Sequence, residues 1–142
     1  MSFLKRLFRR REKEEAIHPT PAELPPMPAP EPIQINEISP QELKARLDNG
    51  DNLIVVDMRQ AWEYQAGHIP GAKHIFVQEI PMRMSELPKD VDIVFQCWHG
   101  NTSLDATGFL IENGWSTSHV ASLRGGMAGW VETHGQASLV KD

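Results

Sequence analysis

Val94-Phe95-Gln96-Cys97-Trp98-His99-Gly100-Asn101-Thr102-Ser103 is the stretch whose reading decides the fold. The apolar residues from Val91 to Phe95 that lead into it predict a short buried strand. The run ends at Cys97, the single cysteine of the chain. A short polar loop with Gly100 follows. Ser103 has the chemistry of an N-cap for a helix whose apolar positions include Leu104, Phe109, Leu110 and Ile111. This puts the cysteine at the mouth of a strand–loop–helix unit, where loop and helix amides point inward. Such a place binds anions and favours thiolate over thiol, which makes the sulfur a nucleophile. The competing reading is a buried, inert cysteine. The polar, glycine-bearing loop suits a cradle better than a core.

Two other segments are built to meet this loop. Leu53-Ile54-Val55-Val56 is a continuous apolar run, as expected of a central parallel strand. It ends in Asp57-Met58-Arg59, followed by Trp62-Glu63-Tyr64 and Gly67-His68-Ile69-Pro70-Gly71-Ala72. Asp57 and Arg59 fall at the strand's carboxyl end, where an ion pair would fix the loop, with Glu63 a further partner for Arg59 or His68. His68 reads as a structural histidine. Arg59 is also a candidate for substrate contact, because its strand end should face the side of Cys97. The last strand, His119-Val120-Ala121, leads to Leu123-Arg124-Gly125-Gly126-Met127-Ala128-Gly129-Trp130. The pair Gly125-Gly126 lets that loop pass close to the cysteine and opens a final helix. Trp130 is expected in the core and Arg124 near the pocket.

Between these segments the chain reads as alternating strands and helices. Ile33, Ile35 and Ile38 alternate as in a half-exposed strand. Ser39-Pro40-Gln41-Glu42 is a capping box with proline at the first helical position; Leu43 and Leu47 form the buried face, and Asn49-Gly50 stops the helix. Lys73 to Val77 predicts a short edge strand. Ile80 to Leu87 predicts a helical segment with Pro81 at its start and Met82, Met84 and Leu87 as apolar filler. Asn113-Gly114 ends the helix after the cysteine loop. The alternation predicts an α/β layered fold with a central, mostly parallel sheet flanked by helices, and ligands at the carboxyl ends of the strands.

The three segments together resemble the rhodanese family. Cys97-Trp98-His99-Gly100-Asn101-Thr102-Ser103 is similar to the C-Y-H-G-N-S-S loop of small bacterial single-domain thiosulfate sulfurtransferases. Asp57 to Ala72 follows the form DxR…E(Y/F)xxGHIPGA, and Leu123 to Trp130 the form LxGGxxxW. The resemblance implies a rhodanese-like fold over residues 33–135. It implies that Cys97 accepts sulfane sulfur from thiosulfate or a persulfide donor and passes it to cyanide, a thiol or a protein acceptor. The persulfide would be held by the loop of Trp98, His99, Gly100, Asn101 and Thr102, with Arg59 and Arg124 as candidate substrate-binding groups. Asp57, Glu63, His68, Gly125, Gly126 and Trp130 would be structural. The chemistry calls for no metal and no organic cofactor.

Two alternatives stay open. Rhodanese-like domains also serve as interaction modules or protein persulfide relays without significant thiosulfate turnover, and this loop lacks the arginine or lysine that helps many relatives bind anionic donors. Phosphatases and arsenate reductases of the same fold need C-x5-R, but Ser103 stands where the arginine would be, which argues against phosphoryl chemistry.

The chain has 142 residues and a net charge of −5. Residues 1–15 hold six Lys/Arg and three Asp/Glu, against eight and sixteen in the remainder. An acidic body argues against nucleic-acid binding. In residues 1–15, Phe3, Leu4, Leu7 and Phe8 share one helical face beside Lys5, Arg6, Arg9 and Arg10, which predicts a basic amphipathic tail for a membrane surface or a protein partner. It lacks the apolar core of a secretory signal. Residues 16–32 hold seven of the eleven prolines, a semi-rigid linker. Residues 136–142 are expected to be a loose C-terminal tail. The six histidines show no zinc-ligand spacing. One cysteine allows no internal disulfide and fits a cytoplasmic protein, peripheral on a membrane if the tail anchors it.

Overall fold

Short runs of Ile, Val and Phe separated by capped helices give a β–α alternation that folds into one layered unit. The computed structural model describes residues 25–29 and 32–141. The compact unit begins at Ile33. The expected basic tail over 1–15, and the linker up to residue 24, lie outside the described residues. Pro25 to Ala29 are exposed and carry no regular structure.

The strands are β1 (Asn36–Ile38), β2 (Leu53–Asp57), β3 (Lys73–His74), β4 (Asp92–Gln96) and β5 (Val120–Leu123). They form one sheet in the order β1-β5-β4-β2-β3, and every pairing is parallel. The helices are α1 (Pro40–Asp48), α2 (Ala61–Ala66), α3 (Ile80–Arg83), α4 (Thr102–Glu112) and α5 (Gly126–His134). The side-chain alternation of the strands sorts the core into two layers. Val56, Ile93, Phe95 and Val120 point to one face and pack with Ile80, Ala106, Leu110 and Trp115. Val55, Val94 and Leu123 point to the other and pack with Leu43, Met127 and Trp130. The two central strands, β4 and β2, are buried on both faces, which is why they read as unbroken apolar runs.

Several local expectations hold. The Ser39 side chain accepts from Glu42 N–H at 3.1 Å, Pro40 opens α1, and Asn49 caps its end. α4 ends at Glu112 with Asn113 as its cap. Others are corrected. The first strand spans only 36–38, and Ile38 alone of the three isoleucines is fully buried, because only this short segment pairs with β5. The 80–87 segment is one α turn followed by a 3-10 turn, Met84–Glu86, so Met82 faces solvent instead of filling the core. Residues after His134 are not loose. Gln136–Ser138 form a 3-10 turn, and Val140 pairs antiparallel with His68 through two backbone hydrogen bonds of 2.9 Å. Leu139 packs on the core beside Trp130, whose indole N–H donates to Ser138 Oγ at 3.0 Å.

Candidate active site

Cys97 follows Ile93 and Phe95 in the alternation of β4, so its side chain continues toward the layer that holds α4. Gly100 N–H donates to the sulfur at 3.1 Å, and Sγ lies 3.4 Å from Ser103 Oγ. The cysteine is 7% exposed, tucked under its loop. The expected cradle is narrower than the loop as a whole: the amide hydrogen-bonded to Sγ among the described residues is that of Gly100. Gly100 sits at φ 91°, which turns its N–H inward.

Ser103 is not the helix cap. α4 starts at Thr102, with Asn101 as the half-helical residue before it and no side-chain cap bond. Ser103 therefore lies in the first turn, fully buried, and its hydroxyl meets both the sulfur and Ser122 Oγ, the latter at 2.7 Å. Ser122 is opposite Phe95 in the β5–β4 register, so its hydroxyl rises beside the cysteine on the neighbouring strand. Sequence reasoning missed both hydroxyl roles. The available signal was a serine in the last strand at the parity of Val120, on the layer that is otherwise apolar.

The floor of the loop is fixed from two sides. Met127 N–H donates to Cys97 O at 2.8 Å and Ala128 N–H to Trp98 O at 3.0 Å, so the first turn of α5 holds the loop's own carbonyls. Gln96 Nε2 also donates to Cys97 O, at 2.8 Å. Contact with α5 is close enough that a Cβ on Gly126 (φ 59°) would fall onto Cys97 O, and 2.8 Å from both Gly100 N and Trp98 C. The glycine pair thus does what its sequence suggested, and Trp130 is buried beneath it at 2% exposure.

Asp57 and Arg59 form a buried ion pair at the end of β2, with Nη2 to Oδ2 at 2.8 Å. Arg59 Nη2 also donates to Gly67 O at 2.7 Å, which ties the strand end to the turn after α2. Its guanidinium carbon stands 5.8 Å from the centroid of the Trp98 ring. Arg59 is thus a structural clamp that also reaches the loop. Glu63 partners neither of the groups expected for it. Its Oε1 accepts from Gln60 N–H at 3.1 Å and caps α2. His68 is buried, stacks on Tyr64 with ring centroids 3.8 Å apart, and donates from Nδ1 to Tyr64 O at 2.8 Å. Arg124 is largely exposed and stands 3.8 Å from Glu37.

Two concavities border the loop. One, of about 240 Å³, has Arg59, Trp62, Glu63, Trp98 and Met127 in its wall. Trp62 and Trp98 are exposed at its rim, and His99 packs edge-on against Trp98. The other, of about 260 Å³, is lined by Val77, Ile80, Pro81, Thr102 and Phe109. Arg124 lines neither. Among the described residues no cluster of three His, Cys, Asp or Glu is placed to hold a metal, and no helix is long and apolar enough to cross a membrane.

Residues 39–133 match the family model for the rhodanese-like domain. A sulfurtransferase from Allochromatium vinosum is 39% identical over 101 residues, covering 71% of this chain and 92% of that protein. The thiosulfate sulfurtransferase GlpE of Pseudomonas fluorescens is 34% identical over 101 residues, covering 71% and 89%. Among solved structures, a rhodanese-like domain protein from Staphylococcus aureus superposes with a TM-score of 0.67 at 28% identity, covering 76% of this chain and 99% of that one.

Proposed function

This chain belongs to the rhodanese-like domain family, and from that membership we propose that it moves sulfane sulfur through a persulfide on Cys97. The observation that carries the reading is the environment of the sulfur. Sγ lies at the N-terminal end of α4, with the Gly100 amide at 3.1 Å and the Ser103 hydroxyl at 3.4 Å. A backbone amide aimed at a sulfur in a mostly enclosed site stabilises negative charge there without reorganising during reaction.

In the first step the Cys97 thiolate attacks the outer sulfur of thiosulfate. The new S–S bond forms as the old one breaks, and its electron pair leaves with sulfite. The charge remains on the outer sulfur of the Cys97 persulfide. In the second step cyanide or a thiolate attacks that outer sulfur, and the electron pair of the broken bond returns to Cys97. The exchange is covalent and runs in two half-reactions, without redox input. The loop amides beyond Gly100, from Trp98 to Thr102, would face the outer sulfur once it is added. Arg59 brings guanidinium N–H groups to the wall it shares with Trp98, although its charge is matched by Asp57. Arg124, exposed and outside both concavities, is the weaker candidate for holding a donor.

A second reading concerns the acceptor. The concavity beside Trp98 is rimmed by two exposed tryptophans. A flat apolar rim favours a protein or bulky thiol acceptor over cyanide, which makes the chain a persulfide relay. Both readings are tested by thiosulfate:cyanide sulfurtransferase assays of the unsubstituted protein and Cys97→Ser, with intact-protein mass after thiosulfate treatment. Turnover that vanishes in the variant, with one added sulfur on the unsubstituted protein only, is the expected result. A persulfide without turnover to cyanide favours the relay. Neither a persulfide nor turnover with any donor overturns the reading and leaves a rhodanese-like interaction module.

A further inference from the structure

A pair of buried serines stands behind the sulfur, where the fold has no need of them. Ser122 occupies a β5 position at the parity of Val120, on the layer filled by Ile93, Phe95, Ala106 and Leu110. Ser103 sits in the first turn of α4, facing it. Both are fully buried. A hydroxyl buried in such a layer costs free energy unless it is bonded, and alanine would fit the same space. The two hydroxyls bond each other at 2.7 Å, and Ser103 also reaches Cys97 Sγ. Ser103 is itself held in place, because Thr107 Oγ1–H donates to its carbonyl at 2.7 Å.

We propose that Ser122 and Ser103 form a hydroxyl relay that sets the charge state of Cys97, with Ser103 touching the reacting sulfur and Ser122 positioning Ser103. A serine hydroxyl has one proton and two lone pairs, so it can answer either state of the sulfur. Against the thiol, Ser103 accepts from S–H and donates to Ser122. When the thiol proton leaves to a base in solvent, the Ser103 O–H rotates to donate to the thiolate, and Ser122 then donates to Ser103. The sulfur thereby gains a second donor beside Gly100 N–H, and no heavy atom has to move. The relay bears on the sulfur transfer proposed above, but it is a property of the thiol and can be tested without any sulfur donor.

The test is the rate of iodoacetamide alkylation as a function of pH, read by intact mass; the single cysteine makes the product unambiguous. The other charged or titratable side chains on the elements around the sulfur are His99 in the loop, Asp92 on β4, Asp57 at the end of β2 with Arg59 after it, Asp105 and Glu112 on α4, Arg124 after β5, and Glu132 and His134 on α5. All are unchanged in the serine variants. Ser103→Ala is expected to move the midpoint of the curve up by about one pH unit, the size of one hydrogen bond to a charged group. Ser122→Ala is expected to move it up by a few tenths, and Ser122→Ala placed on Ser103→Ala to add nothing. A merely structural serine pair would lower the melting temperature and leave the midpoint where it was. An unmoved midpoint in Ser103→Ala, or an undiminished Ser122→Ala effect in the double variant, overturns the relay. If alanine at 103 prevents folding, Ser122→Ala decides alone, and an unmoved midpoint there overturns the proposal. An absence of sulfur transfer in the unsubstituted protein would overturn the function proposed above and leave these curves as they are.

Discussion

Replacing Gly126 by alanine should be among the most damaging single-methyl changes in the domain. Three contributions add. The residue sits at φ 59°, a left-handed conformation that costs an L side chain about 1–2 kcal/mol. The new Cβ would fall onto Cys97 O and lie 2.8 Å from Gly100 N and Trp98 C. These are backbone atoms, so no rotamer change relieves the overlap, and overpacking of this kind costs about 1–3 kcal/mol. Any shift that does relieve it stretches the bonds from Met127 N–H and Ala128 N–H to the loop carbonyls, each worth about 1 kcal/mol. The smaller conformational freedom of alanine in the unfolded chain returns about 0.4–1 kcal/mol. The expected net loss is about 3–5 kcal/mol, a third or more of a typical domain's stability. Gly50→Ala is the matched control, with a positive φ of 74° at the end of α1 and nothing within 4 Å of the added methyl. It should lose only about 1 kcal/mol. Urea denaturation of the two variants measures the difference directly, and thermal melting should place Gly126→Ala roughly 10 °C or more below Gly50→Ala. Equal losses in the two, within about 0.5 kcal/mol by the precision of such comparisons, would refute the idea that α5 buttresses the cysteine loop.

Two further outcomes follow from the charged groups. Asp57→Asn should cost about 3–5 kcal/mol in urea denaturation, because it leaves the Arg59 guanidinium buried without its counter-ion. Pairing it with Arg59→Met should recover most of that loss, and a single-variant cost below about 1 kcal/mol would contradict the buried-pair account. Hydrogen bonds from Arg83, foremost, and from Lys73 hold the Glu86 carboxyl down at about 2, from an ordinary value of 4.5. A depressed carboxyl pKa contributes stability above the unfolded value and loses it as pH falls through the folded value. The stability gap between the unsubstituted protein and Glu86→Gln should thus be flat above about pH 5 and close between about pH 4.5 and 2, less steeply in high salt because the group is partly exposed. Parallel stability–pH curves would refute it.

What the sequence made legible was whatever depends on a few neighbouring residues. Ser39-Pro40 states a helix start by itself. Asn113 closes a helix, and the Gly125-Gly126 pair announces a close approach, because no other residue combines that φ with the missing Cβ. The cysteine was legible through its place between an apolar run and a polar loop. The misses have a different origin. Val140 pairs with His68 across 72 positions, and no local pattern in 136–140 records that contact. Ser103 and a capping serine look alike in sequence; a two-residue shift of the helix start turns a solvent-facing cap into a buried hydroxyl under the sulfur. The spacing of Met82, Met84 and Leu87 suits one face of a longer helix, but the α turn ends at Arg83, and within it Ile80 takes the core side while Met82 faces solvent. Glu63 has two local choices, the guanidinium or the helix start, and the backbone amide of Gln60 takes it.

The two outermost strands, β1 and β3, are three and two residues long. At about 3.3 Å per residue, neither offers more than about 10 Å of unpaired backbone. A sheet whose borders are this brief gives another chain too little to add a strand to. The five-stranded layer can therefore keep long, strongly apolar central strands without becoming a template for self-assembly. What guards it against pairing edge to edge is how little of each border is left open, more than what side chains the borders carry.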